Sequence, residues 1–313
     1  MQITKIFKAN SILIAFLSAS LLAISVLPAN YIVPELKVEA ATKSRHIRKT
    51  RRKAKQKKRV KYSEAKITLP AGYTNDELTK AYDNKPSAEF IKACMSGVKN
   101  NTFKHSESAH DDKTKVDPTK LTESQKDEIV TYTLRLINEA RNCLNLKPWI
   151  KSSGSQNIAD DIAIEYAKNK KSVFDEGGHY VEGIVRACHK NGLNIDDNYI
   201  EDMTGFSYDS KLMTITELKS EIYDGLIIML FGYNGGNYNS VKSYDEWHHA
   251  GDLLSNSGTR LLGTNNADNP QYDDYFGLSI SRIKDEYSIH YIHVSSYYFT
   301  GFKQERLNST FKP

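Results

Sequence analysis

The chain has 313 residues, with 43 Lys or Arg, 38 Asp or Glu and only three Cys, and it carries a formal net charge of +5. Three cysteines allow at most one internal bridge, which excludes the disulfide-rich scaffolds of small secreted domains. The chain therefore has to rely on a hydrophobic core, for which its length is ample.

The first 40 residues have the pattern of a secretory signal peptide. Two lysines precede an apolar run at residues 11–26, which is short and Ser-rich for a membrane span. The tripeptide VEA, ending at Ala40, supplies the small residues of a cleavage site. We expect a secreted protein, found outside the cell or at its wall, with an uncleaved anchor helix as the alternative. Secretion with so few cysteines favours a Gram-positive bacterial origin.

A dense basic segment follows at residues 41–61. Residues 43–61 contain twelve Lys or Arg and no acid, and residues 1–42 add only +1, so residues 62–313 carry a net charge of −8. Self-repulsion and the scarcity of apolar residues predict disorder. Counterion release favours binding to anionic wall polymers such as teichoic acid. We expect a tether, with a plain spacer as the alternative, and no nucleic-acid partner because the chain is predicted to be secreted.

The remainder divides by composition. Residues 62–104 are expected to form a small N-terminal helical module. Residues 105–118 are polar and end at Pro118, which is typical of a linker. Regular apolar spacing follows in residues 119–301, which we interpret as the main domain, and residues 302–313 as a C-terminal tail.

Five helices are predicted in the main domain from apolar residues at helical spacing. The first begins at Thr122, which is placed to form a capping box with Gln125. The others are expected at residues 156–170, 180–192 and 215–231 and around Trp247.

The chain then changes to strand-like alternation. Residues 275–283 alternate between apolar and polar side chains, and a four-residue turn follows. Residues 288–299 are apolar on both faces, which places that strand in the middle of a layered fold. Helices followed by an antiparallel hairpin predict an α+β fold in which helices pack on a sheet.

Two adjacent histidines, His248 and His249, stand on the helix around Trp247. Neighbouring helical residues point about 100° apart, so the two rings face different surroundings. His248 is spaced to pair with Asp252 at the surface, whereas His249 is at the edge of an apolar stripe and would line a cleft. That stripe consists of Trp247, Ala250, Gly251 and Leu254.

Two further candidates precede this doublet. Gly177 and Gly178 give a flexible backbone that would hold His179 at the mouth of a helix. Glu201 lies in a segment, read as a loop, that is rich in acids. No Ser or Cys nucleophile accompanies these histidines in a recognisable motif.

Several motifs occur in an order shared with one known family. They are ITLPAGYT (67–74), LTESQKDEI (121–129), LINEAR (136–141), FDEGGHY (174–180), IYDGLIIMLF (222–231) and the Trp-x-His-Ala-x-x-Leu-Leu element that contains His249. Over residues 66–300 the chain resembles the CAP superfamily of cysteine-rich secretory, antigen 5 and pathogenesis-related proteins. Within it, the motifs are similar to those of the PgrA-type surface-exclusion proteins of Gram-positive bacteria.

The resemblance implies a three-layer α-β-α sandwich of CAP type with a central cleft. In several members, two histidines and acidic residues of that cleft hold a divalent cation. Carried over by position, the implied metal ligands are His179, His249 and Glu201, with zinc or magnesium as the ion. His248 stands where the relatives have a glycine.

The implied site is incomplete. The family's second glutamate has no clear counterpart, and Glu246, Asp245 and Glu221 remain unassigned candidates. Ile200 stands where the family keeps a glycine before its first glutamate and would crowd the approach to Glu201. Whether the chain is an enzyme is therefore left open, with a non-enzyme preferred.

The resulting hypothesis is a secreted, cell-wall-associated surface protein that acts in adhesion, conjugation (surface) exclusion or envelope interaction through an unknown ligand. The alternative is a metal-assisted hydrolase of wall or host polymer, with Glu201 as the catalytic general base. A third hypothesis is a structural wall protein with a vestigial cleft.

Overall fold

The computed structural model describes residues 61–254, 272–300 and 309–313. The predicted signal peptide, and the basic segment up to residue 60, lie outside these ranges. Within them, none of the helices combines the length and apolar character needed to cross a membrane. All three cysteines are free thiols, with Cys94 and Cys188 buried and Cys143 exposed.

The described residues form nine α-helices and six strands. The helices are Asn75–Tyr82 (α1), Ala88–Asn100 (α2), Ala109–Lys113 (α3), Glu123–Cys143 (α4), Ser153–Asn169 (α5), Val181–Lys190 (α6), Ile215–Phe231 (α7), His248–Leu253 (α8) and Tyr297–Thr300 (α9). The strands are Lys115–Val116 (β1), Ile150–Lys151 (β2), Glu201–Ser207 (β3), Met213–Thr214 (β4), Asp274–Ile283 (β5) and Glu286–Ser295 (β6).

Local sequence signals explain where helices α4 and α7 begin and where α7 ends. Thr122 and Gln125 form the predicted capping box at the start of α4, and Thr214 and Glu217 form another at the start of α7. Helix α7 ends at Gly232, where φ is +63° and a Cβ would lie 2.5 Å from the indole of Trp247. Only glycine fits this combination of a left-handed backbone and a close ring.

The main sheet has the strand order β2-β5-β6-β3, so β6 lies in the interior as its sequence predicts. Strands β5 and β6 form the predicted antiparallel hairpin. Strand β3 pairs with the other edge of β6, with Glu201 opposite Ile292. The prediction that Glu201 lies in a loop is therefore wrong, because it is the first residue of a strand.

Helices cover both faces of this sheet. One buried apolar cluster joins the sheet to α4 and α7, and a second joins it to α5 and α6. Neighbouring residues of β6 belong to different clusters, Tyr291 to the first and Ile292 to the second, because successive strand side chains point to opposite faces. The result is a mixed α and β fold with a helical layer on each side of the sheet.

The N-terminal segment does contain two helices, but they share the core of the main domain. The rings of Tyr73 and Phe231 have their centroids 5.7 Å apart, and those of Phe90 and Trp247 are 5.8 Å apart. The described residues from Tyr62 onwards accordingly form one compact unit.

Residues 105–118 differ from the predicted linker, because they form α3 and β1. Asp111 of α3 is buried and lies 2.8 Å from the Nζ of Lys219 on α7. The polar composition of this segment therefore reflects ion pairing with the rest of the domain, a feature that composition alone does not distinguish from a solvated linker.

The last five residues also differ from a free tail. The backbone N–H groups of Thr310 and Phe311 donate to the carbonyl of Gly192 at 2.8 and 2.9 Å. Phe311 is buried in the cluster around α5 and α6. Gly192 has a φ of +76°, and a Cβ there would lie 2.4 Å from the Thr310 hydroxyl. This glycine thus lets the terminal residues dock.

Candidate functional site

A cleft of about 540 Å³ opens beside the start of β3, between the turn before α6 and the start of α8. Its acidic and imidazole lining residues are Asp175, His179, Glu201, Asp202, Asp245, Glu246, His248, His249, Asp252 and His293. Six of these are acids, and no Lys or Arg is found among the described residues that line the cleft. The cleft is therefore suited to cations or neutral polar groups and disfavours bare anions.

The Gly-Gly turn places His179 over the first carboxylate. Gly177 and Gly178 have φ values of +91° and +65°, and nothing lies within 4 Å of where their Cβ atoms would be. These glycines are therefore needed for backbone conformation and not for space. The turn brings the Nδ1 of His179 to 2.8 Å from the Oε2 of Glu201.

The side chain of Glu201 has no exposed surface. Its Oε2 accepts hydrogen bonds from His179 and from the Tyr166 hydroxyl at 2.9 Å, and its Oε1 accepts one from the Nδ1 of His290 at 2.7 Å. Burial alone would raise the pKa of Glu201, but the hydrogen bonds from His179 and His290 bring it to about 2. Glu201 is therefore ionised and committed to holding its neighbours.

A second carboxylate holds the histidine doublet. The Oε2 of Glu246 lies 2.7 Å from the Nδ1 of His249, and its Oε1 lies 3.1 Å from the Nδ1 of His248. Burial would raise the pKa of Glu246, but these two hydrogen bonds hold it well below its usual range. Burial would lower the pKa of His249, but its bond to Glu246 raises that pKa to about 9. His249 without a metal is therefore an imidazolium at neutral pH.

The two rings of the doublet have different surroundings. The ring of His249 faces His179 across the cleft, with centroids 6.1 Å apart and planes at 33°. The side chain of His248 is 50% exposed, and its ring packs edge-on against Tyr82 of α1 at 4.8 Å. The structure thus brings His179, His249 and Glu201 to one cleft, and His248 also lines this cleft but packs its ring against Tyr82 of α1.

We compared the chain with known protein families, curated proteins and solved structures. No known family model matches the chain, and no curated protein is significantly similar to it. Among solved structures, the chain is similar to the CAP domain of enterococcal PrgA, with a TM-score of 0.55 and 24% identity. The match covers 79% of this chain and 90% of that one. The chain has the CAP-domain fold.

In this CAP fold, Glu246 is the carboxylate that pairs with the second cleft histidine, among the three candidates left open by the sequence. Asp245 also lines the cleft and accepts a hydrogen bond from Asn234 at 3.1 Å. Glu221 lies on α7 and is absent from the described cleft lining. Burial, together with Asp224, raises the pKa of Glu221 to about 7.

Sequence reasoning missed three residues of the CAP cleft's buried support. They are Tyr166, His290 and Ser281. The Nε2 of His290 lies 2.8 Å from the Ser281 hydroxyl, and His290 has no exposed surface. The available signal was a histidine in the middle of a strand predicted to be buried on both faces, because a buried imidazole requires polar partners.

The cleft side chains fit a divalent cation held by two histidines. Each Nδ1 binds a carboxylate, which leaves each Nε2 as the atom for a metal, the usual support of metal-ligating histidines. Neither Nε2 has a hydrogen-bond partner among the described residues. No group of three His, Cys, Asp or Glu converges to hold a metal within those residues. Glu201 fits the role of an orienting carboxylate better than that of a direct ligand.

Proposed function

We propose that the chain is a secreted, wall-associated surface protein whose CAP-type cleft binds a cell-surface ligand, in adhesion, conjugation exclusion or envelope interaction. The observation that supports this proposal is the pair of histidines that face each other across the cleft, each held by its own carboxylate. Such rigid, separately supported rings favour recognition of a ligand through a shared ion. A divalent cation bound there would supply a positive centre for ligand oxygens.

The charge of the cleft separates two binding tasks. Six lining acids disfavour an anionic polymer in the cleft unless a cation bridges it. Teichoic acid therefore fits residues 43–61, with their twelve basic side chains, better than it fits the cleft. We assign retention on the wall to the basic segment and specific recognition to the cleft.

We consider a metal-assisted hydrolase the less favoured function. That mechanism requires a base that exchanges a proton with water, and Glu201 was the sequence candidate. Both of its oxygens are occupied by donors and its side chain is shielded from solvent. A binding role needs no proton exchange with water. It uses Glu201 in the ionised state, which its hydrogen bonds favour.

The ion proposal predicts a difference between the adjacent histidines. His249→Ala should weaken zinc binding by about tenfold or more, because it removes one of two imidazole ligands. His248→Ala should change the affinity by less than about threefold, since its ring packs on Tyr82. Calorimetry on the metal-free proteins tests this prediction. Magnesium serves as the control ion, because imidazole ligands should bind it poorly. Equal losses for the two variants would contradict the assignment.

The wall proposal predicts salt-sensitive retention. Deleting residues 43–61 should move the protein from Gram-positive cells into the medium, because it removes the charges that release counterions. Washing cells with about 1 M salt should release the full-length protein for the same reason. Immunoblots of the cell and medium fractions measure both effects. Undiminished retention of the deletion variant would refute a tethering role.

A further inference from the structure

A buried chain of hydrogen bonds lies behind the cleft. Ser281 on β5 is 2.8 Å from the Nε2 of His290 on β6, and the Nδ1 of His290 is 2.7 Å from the Oε1 of Glu201 on β3. Ser281 is 3% exposed, and His290 is fully buried. Three adjacent strands thus supply one residue each to a line of contacts that ends at a cleft carboxylate.

The two ring nitrogens of His290 have different hydrogen-bond partners, and these partners determine which nitrogen carries the proton. The carboxylate of Glu201 accepts, so the Nδ1 of His290 must carry the proton in that contact. A neutral His290 can satisfy both contacts only as the Nδ1–H tautomer, with its Nε2 accepting from the Ser281 hydroxyl. No other donor among the described residues lies within hydrogen-bond distance of that Nε2.

We propose that Ser281 and His290 are positioning residues of the cleft. Glu201 requires the Nδ1–H tautomer of His290, the Ser281 hydroxyl donates to the remaining Nε2 and fixes the ring, and the ring in turn anchors the Oε1 of Glu201 so that Oε2 stays aligned with His179. The functional part of this inference rests on the proposed role of His179 in ligand or ion binding. The geometric part does not depend on it.

The same three residues have the hydrogen-bond order of a nucleophile, a base and an orienting carboxylate. Ser281 also borders a second groove of about 460 Å³, beside α5 and residues 118–121. Positioning is the better assignment, because the serine and the histidine are shielded from solvent and Glu201 already supports a cleft histidine. A nucleophilic serine is therefore the competing outcome of the test.

The test compares Ser281→Ala with Ser279→Ala in metal-free protein. Ser279 lies on the same strand face directly opposite His290 and borders the same groove, but it makes no hydrogen bond to that ring, so it is a control for losing a nearby hydroxyl without losing the contact. Ring nitrogen shifts of the histidines, measured by NMR, report the tautomers directly. Ser281→Ala should change the signals of both His290 and His179, although Ser281 does not contact His179. Ser279→Ala should shift the His290 signal less than Ser281→Ala does and should leave the His179 signal unchanged.

Zinc binding provides the functional measurement. Ser281→Ala should weaken zinc binding by about three- to tenfold. This loss is smaller than the 10–100-fold typical of a residue that contacts a metal-ligating side chain directly. If Ser281→Ala does not fold, Ser281→Cys keeps the side-chain shape with a slightly larger atom, offers a much weaker donor and allows the same comparison. Should wild-type protein bind no zinc, the proposed ion site fails, while the NMR comparison still decides the positioning role.

Two results would overturn the proposal. Unchanged His290 and His179 signals in Ser281→Ala would show that the hydroxyl does not position the His290 ring. Covalent labelling of Ser281 by a fluorophosphonate probe, absent in Ser281→Ala, would identify the serine as a nucleophile.

Discussion

Replacing Lys219 with methionine should lower the free energy of unfolding by about 3–5 kcal/mol. Lys219 lies on α7, is 4% exposed, and places its Nζ 2.8 Å from Asp111, 2.8 Å from Glu128 and 3.4 Å from Glu107. Methionine fills a similar volume but leaves these carboxylates without their shared cation. Removing one partner of a buried ion pair costs more than the pair contributes, because Asp111 stays buried without a cation.

Lys126→Met is the matched control for this variant. Lys126 also pairs with a carboxylate, that of Asp160 at 2.8 Å, but its side chain is partly exposed. Surface pairs of this kind contribute about 0–1 kcal/mol. Urea unfolding of both variants measures the difference. A loss below about 1 kcal/mol for Lys219→Met would show that the segment around α3 is not held by its ionic contacts.

Glu201→Gln should weaken zinc binding by about 10–100-fold. The amide keeps the shape of the carboxylate but replaces one acceptor oxygen with a donor, so it can no longer accept from His179, His290 and Tyr166 together. At least one ring must then turn or change its tautomer, which misdirects the Nε2 of His179. Calorimetry measures the affinity, and thermal unfolding checks that the variant is folded.

Asp245→Asn is the control for this change, because it removes a negative charge from the same cleft without touching either facing histidine. It should alter zinc affinity by less than about threefold. The same variants separate binding from hydrolysis. Metal-dependent cleavage of peptidoglycan by the wild type, lost in Glu201→Gln while zinc affinity is retained, would favour the hydrolase.

Local signals made much of the fold predictable. The capping boxes at Thr122 and Thr214 use residues only three positions apart, so the starts of α4 and α7 can be found from sequence. The two-sided apolar character of β6 likewise predicts its interior place, because a strand covered on both faces cannot lie at a wetted edge.

Contacts between segments that are far apart in the sequence are harder to predict. His290 and Glu201 are 89 residues apart, and Lys219 and Asp111 are 108 apart, so no local pattern links them. Composition predicts a linker at 105–118 because the lysine that pairs with Asp111 lies far away in the chain. The family resemblance supplies His179, His249 and Glu201, whereas the sequence leaves Glu246 as one of three candidates and only the structure pairs it with His249.

The interior place of β6 also bears on how the chain acquires its structure. The β5–β6 hairpin begins at Asp274, after every residue of α1 to α8 has been synthesised. Helices α4 and α5 therefore leave the ribosome before the strands that cover their apolar faces exist. Contacts of such large sequence separation form slowly and leave apolar surface open to aggregation in the meantime. Consolidation of this domain thus waits for its last strands.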